Sequence, residues 1–467
     1  MPAGWKLAGE LLPTPAPSLR DEAGAILAAL RGPVQSPGIR DIDLSGKRIA
    51  VVVDDLTRPT PVSKVFPLLL EELLAAGARA RDMSVIVALG THRPMTPEEI
   101  GRRLGIWDPS RPPQGPGAGD NSKGALMLGE LAVVNHDCRD RALLQRVGRT
   151  AGGTDVLVNR YLCEADFVVL VGTIEPHLLA GFGGGLKNAV PGCAGEDVIA
   201  EVHLGVKASS RYTMAGTPAA DCVTRRRLEE AAQMVPAEYF MVNTVLNPDG
   251  TIAGVFAGDP VAAHRSGSDL AARIYGARQP VGPEPHTLTS RASADIFLVS
   301  SSPMDHDLRQ GTKCLANVLP AAREGALLLG FLRCEEGVGD MFIPPALWPL
   351  GKMRQYAAVH GAEELVRMRA ELSGLHMDMD AVYMNEFMAE VARRHHVLIY
   401  APDLPPDTGE RLGAFELFSD LGSMLARAVE LKPTGVAVSS PLGGICYPAV
   451  HTANANLNEE GRHVPHS

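Results

Sequence analysis

Between Glu175 and His203 the chain reads EPHLLAGFGGGLKNAVPGCAGEDVIAEVH, which gathers two histidines, a lysine and a run of glycines into one short stretch. His177 and His203 offer imidazoles that serve as acid, base or metal ligand. Gly181, Gly183, Gly184 and Gly185 strip the loop of side chains, so its backbone can approach a ligand closely and visit positive φ. Lys187 follows at once, set among Leu186, Ala189 and Val190. Apolar neighbours desolvate an amine and lower its pKa, which makes it a nucleophile or a fixed cation. A second reading of the same residues stands beside this one: a glycine-rich phosphate loop with the lysine on the phosphate and histidines that are only structural.

The elements that must carry these residues are legible as well. Phe167 to Val171 is a short apolar, β-branched run closed by Gly172, the pattern of a buried parallel strand, so the histidine and glycine segment sits where a strand opens into a loop. Open α/β sheets bind their ligands there. The same pattern occurs twice earlier. Arg48 to Val53 predicts a strand that ends in DDLTRPTP, whose prolines hold Asp55 and Arg58 on a stiff turn before a helix from Val62 to Ala76. Met83 to Leu89 predicts another, ending in GTHRPMTPEE; there Thr96, Pro97 and Glu99 form a capping box, and His92 is left on the strand-to-helix loop. Loops at one end of a parallel sheet converge, so Asp55, His92 and His177 are expected to share a cleft. His136, after Leu131 to Val134, either joins them or is solvated on its turn.

At 467 residues the chain is too long for one ordinary core. A first α/β domain is expected over 1–285, and a second, closing over the substrate, over 286–440. The tail 441–467 frays or returns to the first domain. Both sheets are expected to be mainly parallel, with the active site in the cleft between the domains. Residues 1 to 45 read as an edge hairpin or cover containing a short helix at Asp21 to Leu30. Pro- and Gly-rich 109–123 reads as a surface insertion, and Gln279 to Ser290 as the linker. The second unit opens on Asp295 to Val299, after which Gln310 and Lys313, three apart, are expected on one face of a helix that also carries Asp307 and Arg309. Strands at Ala326 to Leu329, Val397 to Tyr400 and Gly435 to Ser439 complete it, with a long helical section from Pro345 to Arg394 between the first two.

With 45% hydrophobic and 21% charged residues the composition is globular, and a net charge of −10 without any basic run argues against nucleic acid or an anionic membrane as partner. Neither a signal peptide pattern nor an apolar stretch of about 20 residues appears, so the expected location is cytoplasmic. The seven cysteines are scattered with no CxxC pair, which predicts buried thiols rather than a disulfide framework or a zinc ribbon. Cys193 alone lies in the key stretch, where it either meets a metal or merely packs.

Taken together, DDLTRPTP, GTHRPMT, EPH, GFGGGLKNAVPG and the later His203 resemble the lactate racemase family, over roughly residues 45 to 440. The steps of ten positions from His177 to Lys187 and sixteen from Lys187 to His203 fit the family's arrangement. The resemblance implies a nickel-pincer cofactor, pyridinium-3,5-bisthiocarboxylic acid mononucleotide, held covalently on Lys187 through a thioamide-type link, with His203 as the one protein ligand to nickel. Asp55, Arg58, Gly184 and Gly185 would complete the cofactor site, with Asp55 and Arg58 alternatively orienting a histidine and substrate. Gln310 and Lys313 would clamp the substrate carboxylate, and His92 and His177 would be the paired acid and base. One histidine would take the hydroxyl proton of a 2-hydroxy acid while hydride passes to the pyridinium carbon; the flat 2-keto acid would then accept hydride on its other face, beside the second histidine. Loading would require separate cofactor-maturation enzymes as partners, and homo-oligomerisation is left open. The family often places an aromatic residue before the Gln-x-x-Lys pair, whereas this chain has Arg309. That departure implies a substrate other than lactate: an inward Arg309 would favour a second carboxylate or a polar chain, an outward one would say nothing, and a larger aliphatic or aromatic hydroxy acid, a dicarboxylic acid and a sugar acid all stay open. A nicotinamide-type dehydrogenase and a non-catalytic ligand-binding homologue are the competing readings.

Overall fold

The computed structural model describes residues 1–106, 126–204, 214–277, 294–302, 304–339, 356, 359–361, 364–368, 379–405 and 407–449. The insertion at 109–123, the linker at 279–290, most of 345–378 and the tail beyond 449 lie outside these residues.

The apolar runs become strands of two sheets, and the expected α/β class with mainly parallel sheets is found. From edge to edge the seven-stranded sheet runs Ile252–Gly258, Glu238–Leu246, Phe167–Thr173, Ile49–Asp54, Met83–Ala88, Leu131–Asn135 and Leu126–Leu128. Its five central strands are parallel, and only the two edge strands run antiparallel. Ile49–Asp54 and Phe167–Thr173 are buried at every position, which is why their sequences are continuously apolar rather than alternating. From Ile49–Asp54 the chain moves to Met83–Ala88 on one side and later returns to Phe167–Thr173 on the other. Connections leaving two adjacent strands in opposite directions open a crevice between them. The turn carrying Asp55 and the loop carrying His177 therefore flank that crevice.

The six-stranded sheet is parallel throughout, in the order Trp5–Glu10, Gly435–Ser440, Ala294–Ser300, Ala322–Phe331, His396–Tyr400 and Glu416–Phe418. Its own reversal falls between Gly435–Ser440 and Ala294–Ser300, directly before the segment with Arg309, Gln310 and Lys313.

Three local expectations change. Residues 5–10 form neither hairpin nor cover but the edge strand of the second sheet, fastened by the Trp5 indole donating to the Lys432 carbonyl at 2.7 Å. The strand shows no inside–outside alternation, since only Trp5 is buried and Leu7 is exposed, so the sequence carries no period-two signal there. Gln310 and Lys313 do not share one helix: Leu308–Gly311 and Lys313–Val318 are separate short helices, the first capped by the Asp307 carboxylate on the Gln310 amide at 2.7 Å. His136 neither joins the cleft nor meets solvent. It is buried, with Nε2 donating to the Ala194 carbonyl at 2.9 Å and Nδ1 accepting from Asn159 at 3.2 Å, and burial lowers its pKa to about 4.

Other elements form as read. The helix Val62–Ala75 is followed by Gly77, and Thr96 and Glu99 make the reciprocal capping box of the helix Pro97–Leu104. Near the C-terminus, Tyr447–Pro448 pairs with Gly276–Ala277 and so carries the chain back to the end of the helix Ala262–Tyr275.

Candidate active site

The first strand turn is locked before it presents anything to a ligand. Asp54 is buried and accepts from Arg103 at 2.6 Å and from Thr60 at 2.5 Å, which fixes the path of the chain through Pro59 and Pro61. Burial raises the Asp54 pKa against the pull of Arg103, as expected for a structural carboxyl. Its neighbour Asp55 faces the other way. One carboxylate oxygen accepts the Thr57 backbone N–H at 3.0 Å and the Thr57 hydroxyl at 2.6 Å; the other meets Nδ1 of His92 at 2.6 Å. Burial opposes ionisation of Asp55, yet the hydrogen bond and charge of His92, with Arg58 and Thr57, hold its pKa well below the usual carboxylate range. Arg58 lies 3.9 Å from Glu175, which leads into the histidine loop.

That loop is a small antiparallel hairpin of Pro176–His177 with Gly181–Phe182, followed by a tight turn over Gly185–Asn188 that carries Lys187. His177 accepts two backbone N–H groups, from Leu179 and Ala180, both on Nδ1 and both at 3.2 Å. The glycines pack closely against the protein itself. Gly184 and Gly185 have φ of 69° and 62°, and a Cβ would come within 2.5 Å of the Asn243 oxygen at the first and 2.8 Å of the His264 ring at the second. The amides of Gly183 and Gly185 are spent inside the protein, on the Glu175 carbonyl and the Asn243 side chain, each at 2.7 Å. A phosphate-binding loop needs such amides free, so that alternative reading of the glycine run fails.

What holds the loop is a set of residues that carry no signal in the sequence. Arg225, 1% exposed, donates to the carbonyls of Ala180, Phe182 and Gly184, and buried His264 contacts the Gly183 carbonyl at 2.8 Å. Glu229 lies 3.8 Å from Arg225 and pairs with Arg265 at 2.6 Å. Within the run Arg225-Arg226-Arg227, no periodicity separates this side chain from neighbours on a solvated helix face. Arg225→Met, close in volume, strands these three buried carbonyls while Glu229 keeps Arg265, and is expected to lower the unfolding free energy by about 3 kcal/mol in urea titrations.

One cavity collects the predicted side chains. Asp55, Arg58, His92, His177, Lys187, His203, Arg309, Gln310 and Lys313 all line it, whereas Gly184 and Gly185 do not. His203 comes from the helix Glu196–Leu204. Met384 and Phe387, on the helix Met379–Arg394, add an apolar wall that the sequence shows only as part of a long helical section. Cys193 is fully buried, and burial pushes its thiol pKa far up, so it packs rather than reacts.

The electrostatics are those of a site for an anion and an uncharged amine. Burial, then the charges of Arg58 and Arg225, lower the Lys187 pKa to about 7; burial and Arg58 lower that of Lys313 to about 8. His177 is driven well below its ordinary value by burial and by Lys187, Arg58, Lys313 and His203. Oε1 of Gln310 is buried with no hydrogen-bond partner among the described residues, an arrangement that costs about 1–3 kcal/mol unless a ligand donor meets it. No group of three or more His, Cys, Asp or Glu that could hold a metal occurs among the described residues. A group that brings its own donors to a metal would need only the one imidazole of His203 there. An amine close to neutrality, one imidazole and a cationic surround fit a covalently attached, anionic, metal-bearing nucleotide.

Comparison with known proteins points to lactate racemases. Residues 3–108 and 120–215 match the model of the lactate racemase N-terminal domain. The lactate racemase of Lactiplantibacillus plantarum is 24% identical over 388 residues, 83% of this chain and 81% of the relative. That of Thermoanaerobacterium thermosaccharolyticum is 27% identical over 320 residues, 68% of this chain and 67% of the relative. Among solved structures, the lactate racemase apoprotein of T. thermosaccharolyticum superposes with a TM-score of 0.69 at 21% identity, covering 94% of each chain. A Thermotoga maritima protein from structural genomics gives 0.60 at 17% identity, over 93% of this chain and 99% of the other.

Proposed function

The chain belongs to the lactate racemase family, and from that premise we propose that it interconverts the enantiomers of a 2-hydroxy acid by way of the 2-keto acid, with His92 and His177 handling the hydroxyl proton. The observation that carries this reading is the convergence of both histidines, Lys187, His203, Gln310 and Lys313 on one cavity, from loops and helices that follow strands of two different sheets.

Each side chain then has a defined task. Lys187 would hold the nickel-pincer nucleotide and His203 would bind its nickel; when bound, that group supplies the hydride acceptor that a 2-hydroxy acid otherwise lacks. Lys313 offers a cation and Gln310 an amide to the substrate carboxylate, so the α-carbon is placed while the rest of the molecule turns. His92, anchored through Nδ1 on Asp55, presents Nε2 to the hydroxyl. Met384 and Phe387 keep water from the keto acid. Loading is the work of separate maturation enzymes.

The substrate is not lactate itself in this proposal. Arg309 lines the cavity beside Gln310 and Lys313, which supports a 2-hydroxy acid with a second carboxylate or a polar chain. Chiral analysis of the loaded enzyme on a panel of 2-hydroxy acids tests both levels. We expect dicarboxylic members to lose optical purity with higher kcat/KM than lactate. Arg309→Leu should lower kcat/KM for them by about ten- to hundredfold, the worth of one charge-assisted hydrogen bond, and should leave monocarboxylic acids nearly unchanged. Preference for lactate with an indifferent Arg309→Leu variant would sink the substrate assignment. Unchanged optical purity across the panel, with nickel and cofactor present, would sink the racemase reading.

A further inference from the structure

The two cavity histidines are held by opposite kinds of partner. His177 receives two backbone N–H groups on Nδ1, from Leu179 and Ala180 at 3.2 Å each. A backbone N–H can only donate, so this nitrogen must present its lone pair, and a neutral ring then carries its proton on Nε2. His92 meets a carboxylate instead, Asp55 at 2.6 Å. An ionised carboxylate can only accept, so Nδ1 of His92 must carry the proton and Nε2 is left bare. The partners on each side are themselves fixed. The Asp55 carboxylate is pinned by the backbone and hydroxyl of Thr57, and the two amides belong to the turn that follows His177 within its own hairpin.

We propose that the two histidines rest in opposite ring tautomers: His92 with the proton on Nδ1, a proton acceptor toward the cavity, and His177 neutral with the proton on Nε2, a hydrogen-bond donor toward it. In the resting protein the cation is disfavoured at His177 for two reasons. It would turn a third N–H against the two amides, and the groups facing the ring are Lys187, Arg58, Lys313 and His203, with no carboxylate prominent among them.

The consequence rests on the racemase reading. A substrate whose hydroxyl lies at His92 passes its O–H proton to Nε2, and the imidazolium formed is paired at once with Asp55. With the proton gone, the C–H electron pair would leave as hydride to the acceptor that the cofactor on Lys187 would supply, as the C=O bond forms. A substrate of the other hand meets an N–H at His177. That ring must first move its proton from Nε2 to Nδ1, giving up both backbone hydrogen bonds, before it can accept. At equilibrium the overall kcat/KM of the two hands stays equal, as it must when the enantiomers are equally stable. The first half-reactions do not: keto acid should appear at least about tenfold faster from one hand, the weight of a lost hydrogen bond.

Long-range proton–nitrogen correlation spectra of the cofactor-free protein, isotope-labelled at the histidine nitrogens, read the tautomers directly; His92→Gln and His177→Gln variants assign the signals. We expect the pattern of an Nδ1–H ring for His92 and an Nε2–H ring for His177 at neutral pH. The same tautomer for both, or a protonated His177, overturns the proposal. In the loaded enzyme, single-turnover mixing with each enantiomer should give unequal keto acid bursts, and equal bursts would also overturn it. Opposite tautomers together with no keto acid from either hand would support the ring assignment and remove the racemase reading, so the two failures are distinguishable.

Discussion

A Lys187→Ala protein is expected to emerge from co-expression with the cofactor-maturation enzymes at its bare polypeptide mass, without nickel and without detectable racemisation, while the wild-type chain carries a covalent adduct and His203→Ala carries the adduct but holds nickel poorly. The reason lies in how the fold treats this amine. Enclosed by the loop and surrounded by Arg58, Arg225 and Lys313, Lys187 has its pKa lowered to about 7. The sign follows directly: the charged form is penalised, so the neutral nucleophile grows in as pH rises through about 7, where an ordinary lysine is neutral to only about one part in 10³. Acylation of the cofactor-free protein by a small amine-reactive reagent should therefore reach half its plateau near pH 7 at Lys187, with Lys313 following near pH 8 and ordinary lysines only well above that. Equal nickel in the two variants and the wild type would remove both residues from the cofactor site. A fold defect is separable from this outcome, because Lys187 makes no ion pair among the described residues and its removal should leave the unfolding midpoint nearly unchanged.

The site was legible where chemistry is written in side-chain types and illegible where it is written in backbone partners. His92, His177, Lys187 and His203 stand at strand ends and on the loops and helix that follow, and three buried strands with polar endings sufficed to predict that the loops would meet. Buried parallel strands announce themselves because both faces are covered. Trp5–Glu10 did not, because an edge strand with one buried side chain has no pattern to read. The glycine run was visible but its purpose was not. Positive φ is compatible with a phosphate loop or with a crowded turn. The second is decided by Arg225, Asn243 and His264, whose bonds to this turn span 41 to 81 residues of sequence. The break between Gln310 and Lys313 was hidden for a similar reason. Both residues are good helix formers; the Asp307 carboxylate caps only the first helix, and the break falls at buried Thr312, whose hydroxyl donates back to the Arg309 carbonyl at 2.8 Å.

Asp55→Asn is expected to be as damaging to catalysis as loss of the base itself, and the local geometry says why. Thr57 donates both its N–H and its hydroxyl to one oxygen of Asp55. In the asparagine variant the amide oxygen must take that place, since the amide nitrogen cannot accept. The NH₂ group is thereby turned toward Nδ1 of His92, which now has to accept, and the ring proton moves to Nε2. A histidine that should present a lone pair to the hydroxyl presents an N–H. In a serine-protease triad the equivalent exchange lowers kcat by about 10⁴ through the wrong tautomer alone, and a drop of about 10³–10⁴ is expected here. His92→Gln removes the base and should cost about 10²–10⁴. Residues that act as one unit are not additive, so the double variant should be little worse than either single one. The pH profile adds an independent check. The Asp55 pKa lies well below the usual carboxylate range, so its stabilising effect is present above the unfolded value of about 4 and fades only as pH falls beneath it. Mild acidification therefore leaves the anchor ionised. An Asp55→Asn enzyme that folds normally and keeps activity within tenfold of wild type would show that the carboxylate merely packs, and would take the orienting role away from it.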